Sequence, residues 1–199
     1  SLCRMGQLMP DSLPGTPRPD LALLLEEAKS LHGQGELELA EARYHYILSL
    51  APDDFPTLLC CGILRNQRGD PAGALPYLEQ ALRLNPRSAI AHVNLGLSLR
   101  HLNRPEDALA HYQYSLVVAP GGPEALLSCA LILRELQRPE EALAKLDKLL
   151  LLHPDAPEAH LYRGKVLRDL LRLEEALVSL DLAIGLQPEL AEAHFARGQ

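Results

Sequence analysis

No apolar run in this chain approaches the ~20 residues that a helix needs to cross a bilayer. The longest run of leucine, Leu149 to Leu152, fits a helix end. A basic surplus is missing as well: Lys and Arg number 19 against 26 Asp and Glu, which leaves a formal charge of −7. A phosphate backbone is held by clustered Lys and Arg, so this balance argues against nucleic acid as a partner. The opening residues lack the charged start and apolar stretch of a secretion signal. Cysteine is scarce, with only Cys3, Cys60, Cys61 and Cys129. Cys60 and Cys61 are adjacent, and neighbours on a helix point in different directions, so neither a disulfide nor a paired metal site suits them. Reduced thiols in a cytoplasmic protein are the expectation.

Signatures of catalysis are missing too. The chain has no phosphate-binding glycine loop, nucleophile elbow or zinc-protease motif. Gly33 and Gly35 belong to a turn. The Glu pairs at 140–141 and 174–175 open helices, where carboxylates suit the positive dipole end. His92, His160 and His194 recur at one register but on different helices, without a His-x-x-x-His pair, and read as packing residues. Neither a cofactor nor a metal is expected.

What is present is periodicity. Pro52, Pro86, Pro120, Pro154 and Pro188 are each 34 residues apart. Twelve residues before each stands Ala40, Ala74, Ala108, Ala142 or Ala176. Twenty-four before each stands a small residue: Ala28, Gly62, Gly96, Ala130 or Gly164, with Gly198 opening one more unit. Turn chemistry divides each unit into two helical segments, as at Gln34-Gly35, Gly69-Asp70 and Asn103-Arg104-Pro105. Pro71, Pro105 and Pro139 sit near helix starts, where the missing N–H has no partner to lose. The 34-spaced prolines end second helices. The early small residue is expected to face the later alanine where the two axes cross. Pro76, further into its helix, is expected to kink it. Hydrophobic residues at 47 % supply a packed core.

This pattern resembles the tetratricopeptide repeat, a 34-residue helix–turn–helix with an early Leu-Gly pair, a mid Ala and a terminal Pro. The stretch Asn94-Leu95-Gly96, with Ala108, Tyr112 and Pro120, carries the likeness best. The resemblance implies an all-α, right-handed superhelical solenoid of five complete repeats, at 21–54, 55–88, 89–122, 123–156 and 157–190. A partial sixth covers 191–199. Arg65, Arg163 and Arg197 stand where the family has large apolar residues. Residues 1–20, with Pro10, Pro14, Pro17 and Pro19, read as a flexible leader in which Met5 is a candidate start. Asp20 is the expected N-cap of the first helix.

In that family the first helices line a concave groove, so the resemblance implies a protein or peptide partner there. The implied floor is Leu59, Ile63, Val93, Leu97, Leu127, Leu131 and Leu161, with Asn66, Asn94 and Tyr162 beside it. Arg100, Arg134 and Arg168 form an accompanying row, which suits a segment alternating aliphatic and acidic residues, because the guanidinium fork pairs carboxylates at two points. The competing expectation pairs these arginines with Glu135, Asp169 or other carboxylates of adjacent helices. The Lys and Asn clamp of chaperone-tail binders is not present. Asn94 is one rung of the asparagine ladder found in O-GlcNAc transferases, so the substrate-recruiting part of such a glycosyltransferase is the alternative function. Leu177, Leu180 and Ile184 are expected to be thinly covered at the C-terminal face, which suits contact with a second copy or a following domain.

Overall fold

The computed structural model describes residues 20–198. Among the described residues there are eleven helices and no strand. The first helices of the units are α1 (Leu21–Gly33), α3 (Phe55–Gln67), α5 (Ala89–His101), α7 (Pro123–Glu135) and α9 (Pro157–Asp169). The second helices are α2 (Leu37–Leu50), α4 (Pro71–Leu84), α6 (Pro105–Val118), α8 (Pro139–Leu152) and α10 (Leu173–Leu186). The short α11 (Ala191–Arg197) starts a sixth unit. Each helix packs on its sequence neighbours, and first helices also touch the first helices of adjacent units. Second helices keep their backbones further apart and meet only through long side chains, as His45 of α2 does with the Tyr77 hydroxyl of α4. Stacked hairpins with one layer in contact and the other splayed curve toward the contacting layer, so α1, α3, α5, α7 and α9 are the inner face of a solenoid. The expected proline-rich leader lies outside the described residues.

Local chemistry explains the hairpins. Asp20, Asp54 and Ser88 cap α1, α3 and α5 by accepting from backbone N–H groups of Ala22, Thr57 and Ala91, which satisfies donors that a helix start leaves unpaired. Every first helix ends in the same two-bond cap. In the fifth unit the Leu171 N–H donates to the Arg168 carbonyl and the Arg172 N–H to the Leu167 carbonyl. This motif requires one left-handed residue. Gly35 and Gly69 supply it in the first two units, but Asn103, Gln137 and Leu171 take it with φ of 57°, 58° and 60°.

Inside each hairpin the crossing differs from the sequence expectation. The early small residue faces chiefly the large side chain four positions after the alanine, and the alanine itself only at Gly164, which also meets the Ala176 carbonyl. A Cβ added to Gly62, Gly96 or Gly164 would come within 2.5 Å of Leu78, 2.7 Å of Tyr112 and 2.6 Å of Leu180. A glycine on an α-helix offers no side chain, and the facing Leu or Tyr fills that gap. The alanines Ala40, Ala74, Ala108, Ala142 and Ala176 are buried beside it. α4 continues as one helix through Pro76.

The three arginines at apolar positions each have a carboxylate. Arg65 bridges Glu41 of α2 and Asp70, the N-cap of α4. Arg163 reaches Asp147 and the Ser179 hydroxyl. Arg197 reaches Asp181. At the C-terminal end Leu180 is buried and Ile184 partly buried against α11. Leu177 remains 46 % exposed, while its equivalents Leu109 and Leu143 are buried.

Candidate functional site: the inner face

The inner face is built from residues that recur every 34 positions on the first helices. Leu59, Val93 and Leu127 are partly buried and lean on the main core cluster. Ile63, Leu97 and Leu131, one turn further along, are half-buried and do not belong to that cluster. Together they form an aliphatic strip across three units. Leu161 differs: it is 1 % exposed and packs with Leu180, Ala183, Ala193 and Ala196. It is core and offers a partner no surface.

The polar candidates are largely engaged within the protein. Asn66 donates through Nδ2 to the Asn94 carbonyl at 3.0 Å and accepts from the Ser98 hydroxyl at 2.7 Å, which ties α3 to α5. The Asn94 amide donates back to Ile90 within its own helix at 2.9 Å. Tyr162 is half-buried, and the Lys165 ammonium sits 4.9 Å from its ring centroid. A cation over an aromatic face is attracted by the ring quadrupole. Burial pushes the Tyr162 phenol above its ordinary range.

The arginine row is not open. Arg100 pairs with Glu135, and Arg134 with Asp169. In both, the arginine lies on one first helix and the acid on the next, 35 residues on. The Asp169 hydrogen bond holds the Arg134 guanidinium above its usual range. Arg168 reaches the Ala196 carbonyl of α11 at 3.5 Å. An acidic partner would have to displace Glu135 and Asp169 or share the guanidinium donors they leave, so the arginines serve first as inter-repeat links. The same register carries a His32 to Gln67 hydrogen bond between α1 and α3.

One set of contacts was not legible beforehand. His92, His160 and His194 each bring Nε2 to a backbone carbonyl six residues earlier, on Pro86, Pro154 and Pro188, at 3.0, 2.8 and 2.7 Å. The imidazoles therefore fasten the turns between units. A proline followed six residues later by histidine, three times over, was the available signal. His92 also meets His111 through the two Nδ1 atoms at 2.9 Å, with the rings stacked. Burial, and then His92 itself, hold His111 below the ordinary imidazole range. Among the described residues no group of three or more His, Cys, Asp or Glu is placed to hold a metal ion. Nor is any described helix long and apolar enough to cross a membrane.

The comparisons agree with this geometry. A model of the tetratricopeptide repeat matches residues 62–123 and 130–191. A stretch of 69 residues is 38 % identical to the protein CTR9 homolog of Arabidopsis thaliana, covering 32 % of this chain and 6 % of that protein. The chain thus spans a small part of that relative's length. Among solved structures, YrrB, described as a TPR protein with an unusual peptide-binding site, is 25 % identical with a TM-score of 0.73, covering 90 % of this chain and 93 % of that one. The APC/C hetero-tetramer Cut9-Hcn1 gives a TM-score of 0.82 at 18 % identity over 90 % of this chain and 36 % of that one, a likeness of fold alone. None of these matches supports a likeness to O-GlcNAc transferases. With its 34-residue hairpins, small-residue crossings and matched family model, the chain belongs to the tetratricopeptide repeat family.

Proposed function

We propose that the chain is a protein-interaction module that holds an extended, mainly apolar segment of a partner along its inner face. The observation that carries this reading is the strip of Ile63, Leu97 and Leu131, half-buried outside the main core cluster and flanked by Leu59, Val93 and Leu127. Contiguous exposed apolar surface usually marks a contact site. The likeness to YrrB, described as having a peptide-binding site, favours a peptide as the occupant. The apolar half of the sequence expectation is kept. The acidic half is not, because Arg100 and Arg134 already hold carboxylates.

The test is a peptide array probed with the wild type and with a Leu97→Gln, Leu131→Gln double variant whose thermal unfolding is followed in parallel. Aliphatic segments should be enriched on the wild type and weakened on a still-folded variant. Equal capture by both proteins removes the strip as the binding surface.

A second reading follows from the C-terminal hairpin. Leu173, Leu177 and Phe195 are exposed there, which suits self-association through this end. Light scattering over a rising concentration series should then show dimers that Leu177→Glu abolishes; a monomer throughout refutes this.

A further inference from the structure

At the start of α7 and α9, the ends of these helices away from Arg134 and Asp169, lies a cleft of about 410 Å³. Ligand pockets run from ~300 to 1,000 Å³, so this cleft is large enough to take a side chain of a bound segment. Its walls are apolar, with Leu127 of α7, Leu149 of α8, and Ala156 and Pro157 at the start of α9. Two carboxylates also line it, Glu124 and Glu158, one from each first helix. One imidazole, His153, is present, and no lysine or arginine. Neither glutamate is in an ion pair among the described residues.

A first-turn carboxylate suits the helix dipole, and that alone would account for an isolated Glu. The same register is Ala22, Pro56 and Ile90 in the first three units, so these helices start without an acid. The register is acidic in succession only from the fourth unit onward, as Glu124, Glu158 and Glu192. The last of these shows what the register can hold: Glu192 pairs with the Lys165 ammonium, which comes from the inner face of α9. An apolar slot rimmed by two unpaired carboxylates matches a side chain with a long hydrocarbon stem and a cationic head. Such side chains lay the stem on apolar surface and keep the charge at the polar rim. Of the two cations, arginine can serve both carboxylates at once through its five donors.

We infer that this cleft takes an arginine side chain of the bound segment, with its stem against Leu127 and Leu149 and its guanidinium between Glu124 and Glu158. The inference rests on the peptide-binding reading for its biological occupant, yet the cleft is testable alone. The first arm titrates 15N-labelled protein with N-acetyl-arginine methylamide and with its neutral citrulline twin. The arginine probe should shift the amide signals of Glu124, Leu127 and Glu158, the citrulline twin should not, and a Glu124→Gln, Glu158→Gln double variant should lose the response. No shift, or the same shift with both probes or both proteins, overturns the inference. The second arm compares nine-residue Leu/Ala peptides carrying one arginine or one citrulline. Arginine should bind about tenfold more tightly to the wild type and no more tightly to the double variant. If both peptides bind alike, the groove reading survives and the arginine site is overturned. If neither binds while the arginine amide still shifts the cleft, the cleft stands and the groove reading falls.

Discussion

Replacing Leu171 by glycine should stabilise the protein, although it deletes a leucine. Leu171 holds the left-handed position of its turn at φ 60° and is 83 % exposed. The side chain therefore contributes little packing, while its Cβ crowds the following carbonyl at a cost of ~1–2 kcal/mol. Glycine relieves that strain but adds freedom to the unfolded chain, worth roughly 0.5–1 kcal/mol in the opposite direction. The two ranges leave a net gain of about 0–1.5 kcal/mol, centred on ~0.75 kcal/mol. For a chain of this size that centre corresponds to roughly 2–3 °C in Tm. Both cap hydrogen bonds, to the Arg168 and Leu167 carbonyls, use backbone alone and survive the change. The assay is urea and thermal unfolding followed by circular dichroism, with amide exchange of α9 and α10 to localise the effect. The register supplies controls. Gln137→Gly should gain similarly, and Asn103→Gly less, because asparagine tolerates this conformation. Gly35→Ala and Gly69→Ala should lose about 1 kcal/mol, although open space surrounds both glycines. A destabilised Leu171→Gly, or an equal gain from Asn103→Gly, would refute the strain argument.

Three further outcomes follow. Ala108→Leu overfills a fully buried position beside Leu109 and Tyr112 and should cost about 1–3 kcal/mol; unchanged thermal stability would displace Ala108 from the crossing. His111 is held below the ordinary imidazole range, so the unfolded chain takes up this proton before the folded one does. Its contribution is therefore complete above ~6.5, the ordinary value, and lost as pH falls below it. Urea midpoints at pH 7.5 and 5.5 should differ more in the wild type than in His111→Gln, and parallel losses would count against this. A double-mutant cycle on Arg134 and Asp169 should give a coupling of no more than ~1 kcal/mol, because both side chains remain a third exposed; a coupling above ~2 kcal/mol contradicts the surface assignment.

The architecture was legible because helix crossings need small residues and turns need prolines, and both write their spacing directly into the chain. Partnership was harder to read. That Gly96 faces Tyr112 rather than Ala108 depends on how two helix surfaces mesh, which one-dimensional spacing leaves undetermined. Leu161 and Leu127 occupy the same register, yet only Leu161 is sealed in, beneath α10 and α11. The arginines were visible, but their openness depended on Glu135 and Asp169 one unit further along. The histidines looked like packing because their partners are carbonyls, which carry no residue identity.

The ion pairs between units have a consequence for how such a chain could lengthen. The arginine that reaches forward and the acid that is reached by the unit before stand side by side in sequence, as Arg134-Glu135 and Arg168-Asp169. A duplicated fourth or fifth unit therefore carries both halves of the connector and can follow another of its kind without adaptation. The second and third units do not interchange in this way. Asn66-Gln67 and Arg100-His101 bring no acid, so an upstream arginine would find nothing to pair with. Their junction relies instead on Asn66 gripping α5 through Asn94 and Ser98. Splicing at the C-terminal half thus preserves the joint, whereas splicing at the N-terminal half discards it.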